Sequence, residues 1–151
     1  MEYSSFWRRL AAYLLDSIVM EVTYMLLVVV AFIVMAVCGV QPYVDGEPNA
    51  LIVYGVMGGF IVYYWAYRTL FESSHWMGTP GKLVVGIRVT DMEGKRISFS
   101  RANARFVGKI VFGFAGLAYV PIFLTKKKQG VQDVIAGTVV VRKNEDSKDS
   151  D

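Results

Sequence analysis

The sequence predicts a mainly α-helical polytopic membrane protein: two long transmembrane helices, a third apolar helical stretch and a small cytoplasmic β-element. Three observations carry this expectation. Of 151 residues, 54% are hydrophobic and 19% charged, against about 25% charged in average soluble usage, and the mean hydropathy is +0.41. The apolar residues are gathered into runs as long as a bilayer core is thick. The basic residues flank those runs, and the interval between the first two has none.

Residues 22–40 form a run of nineteen whose only polar interruption is Thr23, and a helix needs roughly 20 apolar residues to cross the hydrocarbon. Residues 6–21 keep helical spacing while adding Arg8, Arg9, Asp16 and Glu21, so this helix starts among headgroups and is longer than the core is thick. The second span covers residues 50–71, its later half rich in Tyr63, Tyr64, Trp65, Tyr67 and Arg68, an interfacial composition that reads Arg68 as an anchor. Gly55 and Gly59 supply a GxxxG spacing that lets helices approach closely. Residues 41–49 carry Asp45 and Glu47 but no Lys or Arg, whereas residues 72–105 carry six basic residues. The positive-inside rule therefore places both ends of the pair in the cytoplasm.

The third apolar stretch, residues 106–124, either crosses or re-enters. A crossing would export Lys126, Lys127, Lys128, Arg142 and Lys143, and Gly113, Gly116 and Pro121 permit a re-entrant hairpin. Residues 84–100 read as a β-hairpin around Asp91-Met92-Glu93-Gly94, and Thr138–Arg142 as a further strand that would complete a three-stranded sheet on the cytoplasmic side. Residues 1–143 thus make one membrane domain. Residues 144–151, with four acids and one lysine, read as a disordered acidic tail.

The same features exclude several function classes. The basic residues sit where anionic headgroups attract them, which argues against nucleic acid, and the lone Cys38 makes no disulfide framework. His75 is the only histidine, so neither a Zn site nor a Cys/His pair can form. No G-x-S-x-G occurs, and Gly78-Thr79-Pro80-Gly81-Lys82 misses the P-loop spacing. That segment reads as a turn entering the first strand, with Lys82 at the headgroups. The expectation is of no catalytic residue, no metal, no cofactor and no enzyme.

Ionisable groups within apolar helices carry functional weight by default, which singles out Asp16, Glu21 and Lys109. Arg9, Asp16 and Thr23 recur every seven residues and share a stripe, while Glu21 points away from it. Asp16 either pairs with a basic residue at the interface or serves a cation, a proton or a partner. Lys109 reads as snorkelling.

Three blocks together resemble the RDD family of small integral membrane proteins: Phe6-x-x-Arg9-x-x-Ala12-x-x-x-Asp16; Phe71-Glu72-Ser73-Ser74 with Gly78-Thr79-Pro80-Gly81-Lys82 and Gly86-Ile87-Arg88-Val89; and Lys127-Lys128-Gln129-Gly130-Val131-Gln132-Asp133 through Val141. The resemblance covers the chain to Lys143. It implies that Arg9, Asp16 and Asp133 supply the R, D and D; Glu72 and Lys82, within the second block, are secondary candidates beside Glu21, which stands out only as an ionisable group in an apolar helix. Gln132 stands where family members commonly carry histidine, which argues against a His–Asp relay here. The resemblance also implies transport of an ion or small solute.

Arg9 bridging Asp16 and Asp133 would form a triad that either pins the fold or exchanges a proton or monovalent cation. Two or three spans are too thin to enclose a pathway, so transport implies a homo-oligomer. The expected setting is the inner membrane, with anionic lipid around it and both termini cytoplasmic. The alternative is a non-catalytic scaffold or accessory subunit of a larger membrane complex.

Overall fold

The computed structural model describes residues 2–113 and 128–143. In chain order the elements are helix α1 (Phe6–Val37), strands β1 (Tyr43–Val44) and β2 (Glu47–Pro48), helix α2 (Ala50–Ser73), the single turn α3 (Pro80–Val84), strand β3 (Ile87–Asp91), helix α4 (Phe99–Gly113), the single turn α5 (Val131–Ile135) and strand β4 (Thr138–Arg142). The chain divides into two compact units, one of residues Ser17–Ala66 and one of Met1–Asp16 with Tyr67–Asp151.

The 17–66 unit is an apolar helical hairpin. No glycine or proline interrupts residues 6–37, so α1 runs for 32 residues, roughly 48 Å at 1.5 Å per residue. It ends where Gly39 takes φ 73° and the Val40 N–H reaches back to the Met35 carbonyl at 2.9 Å, a left-handed glycine stop. The link to α2 is a miniature β-hairpin pairing Tyr43 with Pro48 and Val44 with Glu47. Asp45 and Gly46 form its tip with φ of 52° and 83°, the positive angles that an Asp-Gly turn supplies. Within the unit Tyr24 packs its ring 5.0 Å from Phe60 and donates to the Val56 carbonyl, while Thr23 bonds Tyr63. Gly59 lies under the Tyr24 hydroxyl, where an added Cβ would sit 3.4 Å away, whereas Gly55 faces open space. Both long helices are apolar and long enough to cross a membrane, and only 6% of each one's most apolar stretch is buried.

The other unit is built from the outer ends of α1 and α2 with everything that follows. Its small apolar core gathers Ala12, Ile87, Val89, Ile97, Ala102 and Val140. β3 and β4 pair antiparallel with Val89 opposite Val140, and Tyr3 adds a bridge to Val141, secured by Ser4 N–H to the Val140 carbonyl at 2.9 Å. Each strand is preceded by the same device: a one-turn helix, then a glycine with positive φ, Gly86 at 72° before β3 and Gly137 at 60° before β4.

Three sequence expectations change here. The 84–100 hairpin is a single strand: after the Asp91 turn, whose carboxylate accepts the Glu93 and Lys95 N–H groups at 2.9 Å, only Arg96 pairs back, to Thr90. Residues Phe99–Gly113 are helical, because polar and apolar residues there alternate at helical spacing. The sheet is thus two-stranded, flanked only by single bridges from Arg96 to Thr90 and from Tyr3 to Val141. Residues 80–84 form a helical turn because Pro80 at its first position presets φ and needs no N–H partner. The later part of the 106–124 stretch and the acidic tail lie outside the described residues.

Candidate functional site

Eight ionisable side chains converge in the second unit. α1 contributes Arg9 and Asp16, the last turns of α2 contribute Arg68 and Glu72, α3 contributes Lys82, α4 contributes Arg105 and Lys109, and α5 contributes Asp133. Six of them, Arg9, Asp16, Arg68, Lys82, Arg105 and Lys109, line a cavity of about 40 Å³ together with Tyr13, Gln132 and Val140.

A continuous chain of ion pairs runs through the cluster. Arg9 Nη1 donates to Asp133 Oδ2 at 2.6 Å, and its Nη2 donates to the Lys128 carbonyl at 2.5 Å. Arg105 bridges two acids: its Nη1 donates to Asp133 Oδ1, and its Nε to Glu72 Oε2 at 2.9 Å. The other Glu72 oxygen takes Lys82 Nζ. Asp133 is held in place by its own turn, accepting the Gly130 N–H at 3.1 Å, and Thr138 Oγ1 accepts from Arg105 at 2.5 Å. Such pairs give up hydration of several kcal/mol per ion, which only complete pairing recovers. Here both oxygens of Asp133 and of Glu72 are used.

Burial alone would push the Asp133 carboxyl up, but the Arg105 and Arg9 guanidiniums outweigh it and hold the group below its ordinary value. Burial would likewise lower Arg105, yet Asp133 and Glu72 reverse the sign and raise it. Lys82 goes the other way. Burial pulls it down, Glu72 opposes, and the nearby Arg105 and Arg68 add to the fall, leaving it below the usual lysine value.

Asp16 is fully buried and stands apart from this chain. Its oxygens accept from the Tyr67 hydroxyl at 3.3 Å, the Gly81 N–H at 2.8 Å and the Thr79 hydroxyl. All three donors are neutral. Gly81 has to be glycine: a Cβ there would fall 2.5 Å from the Ala12 carbonyl oxygen and 2.8 Å from both Asp16 Cγ and Asp16 N. Thr79 leads into α3 but does not cap it with its side chain, because its hydroxyl is given to Asp16.

The structure therefore brings Arg9 and Asp133 together across 124 positions of sequence but separates Asp16 from them. The bridging arginine is Arg105, and its second acid is Glu72. Lys82 is buried against Glu72, not set among headgroups, because the α3 turn carries it inward. Glu21 is exposed on α1 and takes no part. Arg68 is buried, with its guanidinium 5.4 Å from the centre of the Tyr13 ring, instead of anchoring at a surface. Lys109 reaches the cavity. Sequence reasoning passed over Arg105, although Arg101, Arg105 and Lys109 recur every four residues at the head of an apolar stretch, the spacing of one helix face. Among the described residues no group of three or more His, Cys, Asp or Glu is placed to hold a metal ion.

The model of the RDD family matches residues 3–137. The chain is also similar to the uncharacterized protein YxaI of Bacillus subtilis (strain 168), 28% identical over 148 residues, which cover 93% of this chain and 97% of that protein. No solved structure matches.

Proposed function

This chain belongs to the RDD family, and on that premise we propose that it is a polytopic inner-membrane transporter, working as a homo-oligomer and coupling the movement of a small ion or solute to that of protons. One observation carries the proposal. A membrane protein of 151 residues gathers eight ionisable side chains into one cluster, six of them lining one small cavity, although each desolvated ion costs on the order of several kcal/mol before pairing. Two unbroken spans cannot enclose a pathway, so copies must assemble. The apolar surface for this is present: Met25 and Leu26 on α1 are 68% and 60% exposed, facing lipid or a neighbouring copy.

The pairing of β3 with β4 and the bridge from Tyr3 support placing both termini on one side. The charge asymmetry supports a cytoplasmic setting for that side and favours re-entry of the 106–124 stretch over a crossing. Within the cluster Asp16 is the proton-carrying group. A proton taken up at Asp133 would strip two arginines of their counter-charge, whereas at Asp16 no ion pair is lost. No enzymatic step is assigned.

The rival reading is a non-catalytic scaffold or accessory subunit, and the saturated pairing of Glu72 and Asp133 favours it, since such a knot can serve the fold alone. The purified protein in sealed vesicles with an internal pH dye separates the two when Na⁺, K⁺ or chloride gradients are imposed. Transport predicts a protein-dependent pH change for at least one ion. A flat trace from folded protein refutes it and leaves the scaffold.

A further inference from the structure

We propose that the cavity inside the charged cluster binds a small inorganic anion of about chloride size. Five cations line it, Arg9, Arg68, Lys82, Arg105 and Lys109, against one acid, Asp16. The remaining two acids of the cluster do not balance the sum, because Glu72 and Asp133 bring the total to three against five. Each of their oxygens is, moreover, already engaged. Glu72 gives its oxygens to Lys82 and Arg105, Asp133 to Arg105, Arg9 and Gly130, and Asp16 to Tyr67, Thr79 and Gly81. Lys109 lines the same space, and among the described residues it belongs to none of the cluster's ion pairs.

Two further observations fit an anion. Gln132 lines the cavity with its Oε1 buried and without a hydrogen-bond partner; turning the amide end for end places an N–H donor there. Lys82 is held below its usual value, first by burial and, against the pull of Glu72, by Arg105 and Arg68, two cations whose repulsion a bound anion would offset. The size also suits one. A cavity of about 40 Å³ exceeds the roughly 10–15 Å³ that a single water needs on the same measure, which leaves room for a halide.

As the substrate class of the transporter this inference rests on the reading above; as a binding site it stands on the cavity alone, so its test reads binding without flux. The full chain, in discs of a zwitterionic lipid, is melted by tryptophan fluorescence while chloride replaces gluconate at constant ionic strength. Because only the folded state presents the site, binding raises the melting temperature by several degrees and saturates. Lys109→Met removes a cation that belongs to none of the cluster's ion pairs. It is expected to melt above the wild type in gluconate and to show no chloride shift, while Lys109→Arg keeps the shift. A wild-type melting temperature that is unmoved, or that climbs without saturating, overturns the proposal, as does a chloride shift in Lys109→Met equal to that of the wild type. If chloride binds but no gradient drives flux, the site stands and the transport reading falls.

Discussion

Gly81→Ala is the sharpest structural perturbation available. The added Cβ would stand 2.5 Å from the Ala12 carbonyl oxygen and 2.8 Å from the Asp16 backbone nitrogen, and neither is the movable end of a side chain. Restoring ordinary contact of about 3.5 Å means moving the α3 turn roughly 1 Å off α1. That shift stretches the Gly81 N–H bond to Asp16 from 2.8 Å past hydrogen-bond range and loosens the Thr79 hydroxyl bond as well. A hydrogen bond to a charged acceptor contributes about 1.5–3 kcal/mol, and a buried group left short of a donor costs about 1–3 more, so the variant should lose about 3–5 kcal/mol. Urea unfolding in detergent, followed by tryptophan fluorescence, measures it. Gly58→Ala is the control: nothing lies within 4 Å of its Cβ, and alanine in a helix gains up to about 1 kcal/mol over glycine. Equal midpoints for the two variants would refute the claim that α3 is seated on Asp16 through backbone contact.

Arg105→Lys should destabilise by about 3 kcal/mol in the same assay, because one ammonium cannot reproduce the forked contacts to Glu72, Asp133 and Thr138 and leaves a buried acid underpaired; an unchanged midpoint would show the bridge to be dispensable. Asp133 supplies a pH dependence. Its folded carboxyl lies below the ordinary value of 3.8, so the folded state holds fewer protons than the unfolded chain in acid. Its contribution is complete above about pH 4, the unfolded value, and is lost as the pH falls through the lower folded value. Stability measured from pH 6 downward should fall in that window, and Asp133→Asn should flatten the slope. A reporter fused after Asp151 should read cytoplasmic, and a periplasmic signal would contradict re-entry of the 106–124 stretch.

Much of the architecture is written in local pattern. The apolar runs give α1 and α2, the β-branched TVVVR gives β4, and Asp-Gly punctuation gives the β1–β2 tip. The 84–100 segment misled because β-branched residues around an Asp-x-x-Gly turn look alike whether the second arm is a strand or the approach to a helix. Its true partner, β4, lies about fifty residues away, and such pairing leaves no local trace. The site follows the same logic. Family resemblance pointed to Arg9, Asp16 and Asp133, and the structure joins Arg9 to Asp133. Charge alone assigned Asp16 to the same knot, yet a carboxylate is satisfied as readily by hydroxyls and a backbone N–H, and Tyr67, Thr79 and Gly81 supply them. Lys109 stands out in the sequence as an ionisable group at an apolar stretch, whereas Arg105 is only one of the six basic residues of 72–105 until the helical stripe they share is drawn.

The central claim is that Asp16 carries the proton while Asp133 holds the fold. Asp16→Asn tests it cleanly, since an amide oxygen still accepts from Tyr67 and Gly81 and the Thr79 hydroxyl can turn to accept from the new NH₂ group. Ion-driven proton flux should therefore vanish in sealed vesicles of Asp16→Asn protein that melts as the wild type does, and return in Asp16→Glu. Wild-type flux in the folded Asp16→Asn protein would contradict the account and reduce Asp16 to a clamp for the α3 turn.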